Sequence, residues 1–104
     1  MRAMSVVRFK PKPGKGDEFE KLYRSLTREF EGLRKVSLVK ASDDRYFAVG
    51  EWDTFDHLVA ARPSMAGNLD KFRHLLDSFS EDLGVTDPIS GSVAFRKKYD
   101  GIVP

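Results

Sequence analysis

Apolar positions along this chain change period several times, and each change marks an element. Met4, Val6, Val7 and Phe9 alternate in part and are β-branched or bulky, so residues 4–10 read as a strand; Pro11-Lys12-Pro13-Gly14 then breaks it. Asp17 with Glu20 fits a capping box, and Phe19, Leu22, Tyr23, Leu26 and Phe30 recur on one face of an amphipathic helix. Gly32 is a natural stop for that helix. Residues 36–41 and 46–52 read as strands joined by the polar turn Ser42-Asp43-Asp44-Arg45. Thr54 suits the N-cap of a short helix over 55–62, which Pro63 ends or kinks. A longer helix follows from Ser64, with Met65, Leu69, Phe72, Leu76, Phe79 and Leu83 inward and Gly84 as its terminator. Residues 85–91 contain Asp87-Pro88 and read as a loop, and 92–97 read as the last strand.

The order β-α-β-β-α-β is that of the split βαβ or ferredoxin-like α+β fold, in which helices cover one face of a four-stranded antiparallel sheet. In that sheet the first and third strands are antiparallel neighbours. Tyr46, Ala48, Gly50 and Trp52 share one face of the third strand, with Phe47 and Val49 on the other. Val7 and Phe9 likewise lie opposite Met4 and Val6 on the first. Both faces are thus apolar, whereas a solvated face alternates to polar. A second copy packed on the open face, making a homodimer, is the expected cover.

Composition narrows the chemistry more than the fold. At 104 residues the chain is expected to form one domain over 1–99, with 100–104 as a tail. Hydrophobic residues at 40% and charged residues at 33% fit a globular protein. The absence of Cys excludes a disulfide framework, a thiolate nucleophile and Cys-type metal sites. Lys+Arg of 18 against Asp+Glu of 16 leaves +2, too little to indicate nucleic acid. There is no Gln, and Asn68 is the single Asn. The N-terminal residues lack the apolar run of a signal peptide, and no stretch is long enough to span a membrane, so the cytoplasm is the expected location.

The stretch from Gly50 through Trp52, Thr54, Phe55, His57 and Leu58 to Ala61 resembles the strand-end Trp and short helix of the antibiotic biosynthesis monooxygenases. The Lys12-Pro13-Gly14-Lys15 turn before an acidic helix is similar too, as is the element order over residues 4–97. The resemblance implies a dimeric α/β barrel and, in its oxygenase members, oxidation of a phenolic substrate with no flavin or metal. Ala61 stands where many members carry a second His. Val7 stands at the first-strand position of the Asn used by haem-degrading relatives, so their triad is not expected here.

Candidate site residues follow from strand and helix phase. Two small residues, Ala48 and Gly50, lie in line with Tyr46 and Trp52 and leave volume that either a helix fills or a ligand occupies. Tyr23, Leu26, Met65, Leu69 and Phe72 would wall such a cavity, with Asn68 offering an amide at its edge. It would suit a small hydrophobic aromatic ligand such as a quinol or polyketide. If the family's oxygenase chemistry applies, Trp52 and Asn68 orient the substrate and Tyr46 or Tyr23 hydrogen-bonds it. His57 and His74 fall opposite the apolar stripes and are expected at the surface, and no metal site is expected. Arg8 is expected to pair near the sheet–sheet interface, with Glu51 of the second copy as one partner. Two other classes share the element order. One is a non-catalytic dimeric binding or stress-response module. The other is an RNA-recognition motif, which Arg45 to Trp52 match in part but which Val49 spoils where a base should stack.

Overall fold

The computed structural model describes residues 2–99, and the expected tail at 100–104 lies outside them. Strands β1 (Ala3–Phe9), β2 (Leu33–Ser42), β3 (Arg45–Trp52) and β4 (Thr86–Ser92) form one antiparallel sheet in the order β2-β3-β1-β4. Helices α1 (Gly16–Ser25) and α2 (Phe55–Phe72) pack against one face. The β-α-β-β-α-β order is as the periodicity predicts.

Helix α1 ends a full turn sooner than its apolar spacing suggests. Leu26 is already extended, at φ −75° and ψ 139°. The last carbonyls are taken by side chains: Ser25 Oγ donates to Leu22 O at 2.8 Å, while the Arg28 guanidinium donates to Tyr23 O and, at 3.1 Å, to Leu26 O. Leu26 and Phe30 still point inward, so an irregular segment copies a helical stripe. The capping box is also absent. Lys15 is the N-cap residue, Asp17 lies inside the first turn, and Glu20 accepts from the Tyr46 hydroxyl at 2.5 Å.

Helix α2 is continuous through Pro63, rather than two helices. Pro63 is exposed, and on that side water can serve the carbonyl its missing N–H leaves unpaired. Thr54 caps the helix as expected, accepting from the His57 N–H at 3.1 Å. The helical run stops at Phe72 and one 3₁₀ turn, Arg73–Leu75, because the backbone is captured by β1's end: Lys12 N–H donates to Leu75 O at 2.8 Å and Asp77 N–H to Lys10 O at 2.7 Å. Gly84 closes a turn with Ser80 instead of a helix.

The last strand lies at Thr86–Ser92, within the stretch that reads as a loop. Backbone pairing with β1, from Ala3↔Ser92 to Phe9↔Thr86, makes it a strand despite a poor sequence. It is an edge strand, where Pro88 can turn its missing donor outward. Of the stretch 92–97 expected as that strand, Ser92 ends β4, Val93 to Lys97 are irregular, and Phe95 is exposed.

The core divides into two clusters. Phe9, Phe19, Tyr46, Ala48, Phe72, Leu75 and Leu76 fill one end of the sheet. Ala3, Trp52, Leu58 and Ala61 fill the other. The register explains the gap between them. On the helix-facing side, the middle of the sheet pairs Ser5 with Gly50 and Val7 with Ala48, so small side chains face the helices there. The opposite face carries Met4, Val6, Phe47 and Val49 at its centre, with Val39 and Ile89 exposed beside them.

Gly32 sets the approach of β2 to α2. It has φ +82°, and a Cβ there would lie 2.4 Å from His57 Cγ. Gly32→Ala is expected to destabilise by about 1–3 kcal/mol, combining backbone strain with the clash. Adding His57→Ala should recover only the part of the clash that the ring causes, since its Cβ would still lie 2.6 Å from the new methyl, and a thermal melt reads that partial gain. An unchanged melting temperature for Gly32→Ala alone would show that the turn relaxes.

Candidate functional site

The gap between the two clusters is a cavity of about 380 Å³. Its floor is the small-residue patch of β1 and β3. Gly50 is needed there, since a Cβ would come within 2.7 Å of Ser5 Oγ and 3.0 Å of Trp52 Nε1. Its absence lets the Trp52 indole donate to Ser5 Oγ at 3.1 Å. Trp52 is 1% exposed and stacks on Phe30, with centroids 6.1 Å apart and planes 10° from parallel. Trp52 is therefore core on one side and cavity wall on the other.

The structure gathers nine of the ten candidate residues around this space: Trp52, Asn68, Tyr23, Leu26, Ala48, Gly50, Met65, Leu69 and Phe72. Tyr46 is the tenth and stands apart. It is 2% exposed, its ring packs edge-on to Phe19 at 5.3 Å, and its hydroxyl is committed to Glu20. Burial, then the adjoining Glu20 carboxylate, push its phenol far above the ordinary range, so it stays neutral. The reason for the difference is position. Tyr46 pairs with Phe9 at the end of the strand filled by the aromatic cluster, away from the small residues.

The amide of Asn68 is anchored at 3.2 Å from its Nδ2 to Thr27 O, which leaves Oδ1 as an acceptor. Tyr23 contributes a phenol raised by burial, opposed by the charge of Arg28. Arg28 is one of two lining cations that sequence reasoning missed. It sits between α1 and β2, lines the cavity, and stacks over the Tyr23 ring with Cζ 3.9 Å from the centroid. No spacing rule marks it, because it belongs to the stretch that the periodicity assigns to helix. Arg62 of α2 is the second cation in the lining, and among the described residues no carboxylate or imidazole lines the cavity.

The histidines lie elsewhere. His74 is exposed, as its phase predicts. His57 is instead half-buried over Gly32, with Nδ1 2.7 Å from the Thr54 hydroxyl and Nε2 3.9 Å from Glu31 Oε1. The Thr54 hydroxyl thus meets both the His57 backbone N–H and the ring, and the imidazole tautomer sets which of Oγ1 and Nδ1 donates. Arg8 pairs with Asp87 across β1 and β4. Glu51 meets Arg2 at 3.4 Å and also Arg96, and Arg96 first among them holds its carboxyl below the usual range. Among the described residues no cluster of three metal-ligating side chains occurs, and no helix is long and apolar enough to cross a membrane.

A four-stranded antiparallel sheet with two helices on one face and an apolar cavity between the layers defines a ferredoxin-like α+β protein. The sequence matches the family profile "antibiotic biosynthesis monooxygenase" over residues 2–66, and the chain belongs to that family. Solved structures share the fold. A variant of SnoaB, a cofactor-independent oxygenase from Streptomyces nogalater, is 18% identical with a TM-score of 0.71, covering 91% of this chain and 95% of that one. The monooxygenase ActVA-Orf6 of Streptomyces coelicolor, in complex with nanaomycin D, is 14% identical with a TM-score of 0.69, covering 93% and 91%. A Nitrosomonas europaea protein of unknown function is 15% identical with a TM-score of 0.72, covering 96% of each. No match is found among curated proteins. At these identities the structural likeness is one of fold.

Proposed function

We propose that this chain is a monooxygenase that oxidises a small aromatic substrate of quinol, anthrone or related polyketide type, using dioxygen and no flavin or metal. The cavity beneath Trp52 carries the reading. At about 380 Å³ it lies in the range of small-molecule sites, about 300–1,000 Å³, and its walls are aromatic and aliphatic. Family membership supports oxygen chemistry, and the likeness to SnoaB supports its cofactor-independent form.

The substrate's ring lies along Trp52, with its hydroxyl on Asn68 Oδ1 or the Tyr23 hydroxyl. With no carboxylate or imidazole in the lining among the described residues, the phenolic proton leaves to water and the Arg28 guanidinium holds the ionised form. The anion passes an electron to dioxygen, the resulting pair of radicals combines at the activated carbon, and water departs. For a methylene carbon the balance is CH2 + O2 → C=O + H2O, so all electrons come from the substrate. The protein supplies orientation, apolar walls and a fixed positive charge.

The working unit in this proposal is a cytoplasmic homodimer of the domain at 1–99, joined through the open sheet face. The apolar centre of that face, Met4, Val6, Phe47 and Val49, supports it. Light scattering is expected to give twice the monomer mass, and Val49→Glu is expected to halve it by burying a charge between sheets. A monomeric wild type would contradict this.

Oxygen uptake with a panel of hydroquinones and anthrones tests the activity, and uptake that does not depend on the protein would end it. A lining with no carboxylate or imidazole among the described residues also suits a second reading, a non-catalytic binding or stress-response module. Ligand quenching of Trp52 fluorescence without oxygen uptake is the outcome that selects it.

A further inference from the structure

Two guanidiniums line the cavity, whereas the reaction above forms one anion, at Arg28. Arg62 is left over. Six of the nine arginines, Arg2, Arg8, Arg34, Arg45, Arg73 and Arg96, each meet a carboxylate. Among the described residues Arg24, Arg28 and Arg62 do not, and of these Arg28 and Arg62 line the cavity. A pair of cations with no acidic residue in the lining is an electrostatic arrangement that a neutral ligand leaves uncompensated.

The placement of Arg62 is specific. It lies four residues after Leu58 and three before Met65, so its stem follows the α2 stripe that faces the cavity. Its head reaches β4, where Nη2 lies 3.4 Å from Ser90 Oγ, and its Cζ sits 5.8 Å from the Phe55 ring centroid. Ser90 pairs with Ser5 in the sheet, so it stands on the helix-facing side beside the cavity floor. A guanidinium offers five donors in a planar fork that matches a carboxylate. One donor meets Ser90, and the hydroxyl of Ser90 keeps its hydrogen for a second acceptor.

We propose that Arg62 and Ser90 form a subsite for a carboxylate that the aromatic substrate carries before it is oxidised. The ligand class is then an aromatic carboxylate, with the ring under Trp52 and the acid group at the rim between α2 and β4. This rests on the reading that the cavity takes an aromatic substrate, and it adds the substrate's charge.

The test is calorimetric titration of the full chain with 2-naphthoate and with 2-naphthamide, which has nearly the same shape and no charge. Wild type is expected to bind the naphthoate roughly tenfold more tightly, the usual advantage of a charge-assisted hydrogen bond, with the ratio shrinking as salt is added. Arg62→Gln is expected to bring the ratio close to one, and Arg62→Lys to keep an intermediate value, since it retains charge and loses the fork. Thermal melts of both variants verify their folding. Equal affinities in wild type would overturn the proposal, as would a ratio that survives Arg62→Gln, because the anion would then lie elsewhere. If neither probe binds, the subsite falls as well. Oxygen uptake with neutral hydroquinones then decides separately whether the oxygenase reading falls with it.

Discussion

Replacing Arg28 by Gln is expected to lower the rate of protein-dependent oxygen uptake by about a hundredfold, while substrate binding changes by less than about tenfold. The asymmetry follows from what the charge does. Before ionisation the substrate is neutral at the reacting oxygen, and Gln can still offer it a hydrogen bond. After ionisation the anion sits in an apolar cavity whose charges, among the described residues, are those of Arg28 and Arg62. Removing Arg28 leaves amide and hydroxyl dipoles, with Arg62 at the β4 side of the cavity, to stabilise the anion.

A pH profile separates this role from a structural one. Arg28 also satisfies the carbonyls of Tyr23 and Leu26, so its loss loosens the end of α1. Loosening lowers the rate at every pH. Loss of the charge instead moves the midpoint of the rate profile upward by about 1–2 units, because the bound phenol becomes a weaker acid. Arg28→Lys should restore the midpoint more fully than the rate, since it keeps the charge and loses the two-carbonyl anchor. An unmoved midpoint in Arg28→Gln would assign Arg28 to packing.

The largest loss of stability is expected for Phe19→Ala, about 3–5 kcal/mol. Phe19 is fully buried, and its ring lies 5.3 Å from Phe9, 5.3 Å from Tyr46 and 5.4 Å from Phe72. With Tyr23, it holds α1 to both the sheet and the end of α2. Truncation removes apolar burial, forfeits several edge-to-face contacts and leaves a hole that the rigid sheet cannot close. A domain of this size is stable by about 5–15 kcal/mol, so the melting temperature should fall by more than ~10 °C. Phe95→Ala, at a residue 81% exposed, should change stability by less than ~0.5 kcal/mol. A loss of only a few degrees for Phe19→Ala would mean that Tyr23 or Phe72 repacks into the space.

What could be read from sequence follows a physical division. Elements stabilised by their own side-chain pattern were legible: β3, with its alternation of Tyr46, Ala48, Gly50 and Trp52, and the Thr54-capped start of α2. Elements stabilised by what lies across from them were not. β4 has one large aliphatic residue, Ile89, and becomes a strand because β1 offers an unpaired edge. The C-terminal end of α2 is cut at Phe72 by hydrogen bonds to residues 10 and 12, although its stripe runs on to Leu83. The site divides the same way. Its floor and walls came from phase, since Ala48 and Gly50 point wherever Trp52 points. Arg28 did not, because a cation anchored on carbonyls of an irregular segment has no period. Tyr46 shared the face of Trp52 but not its surroundings, and which end of the sheet the aromatics of α1 fill is a tertiary matter.

The central claim is that this cavity lets an aromatic substrate reduce dioxygen with its own electrons. Incubation of an anthrone with isotope-labelled dioxygen and the full chain, followed by mass spectrometry, tests it most directly. One labelled oxygen atom in the product carbonyl, formed at a rate proportional to protein and reduced by Arg28→Gln, is the predicted result. Product without label, or labelled product formed equally fast in the absence of the protein, would contradict it.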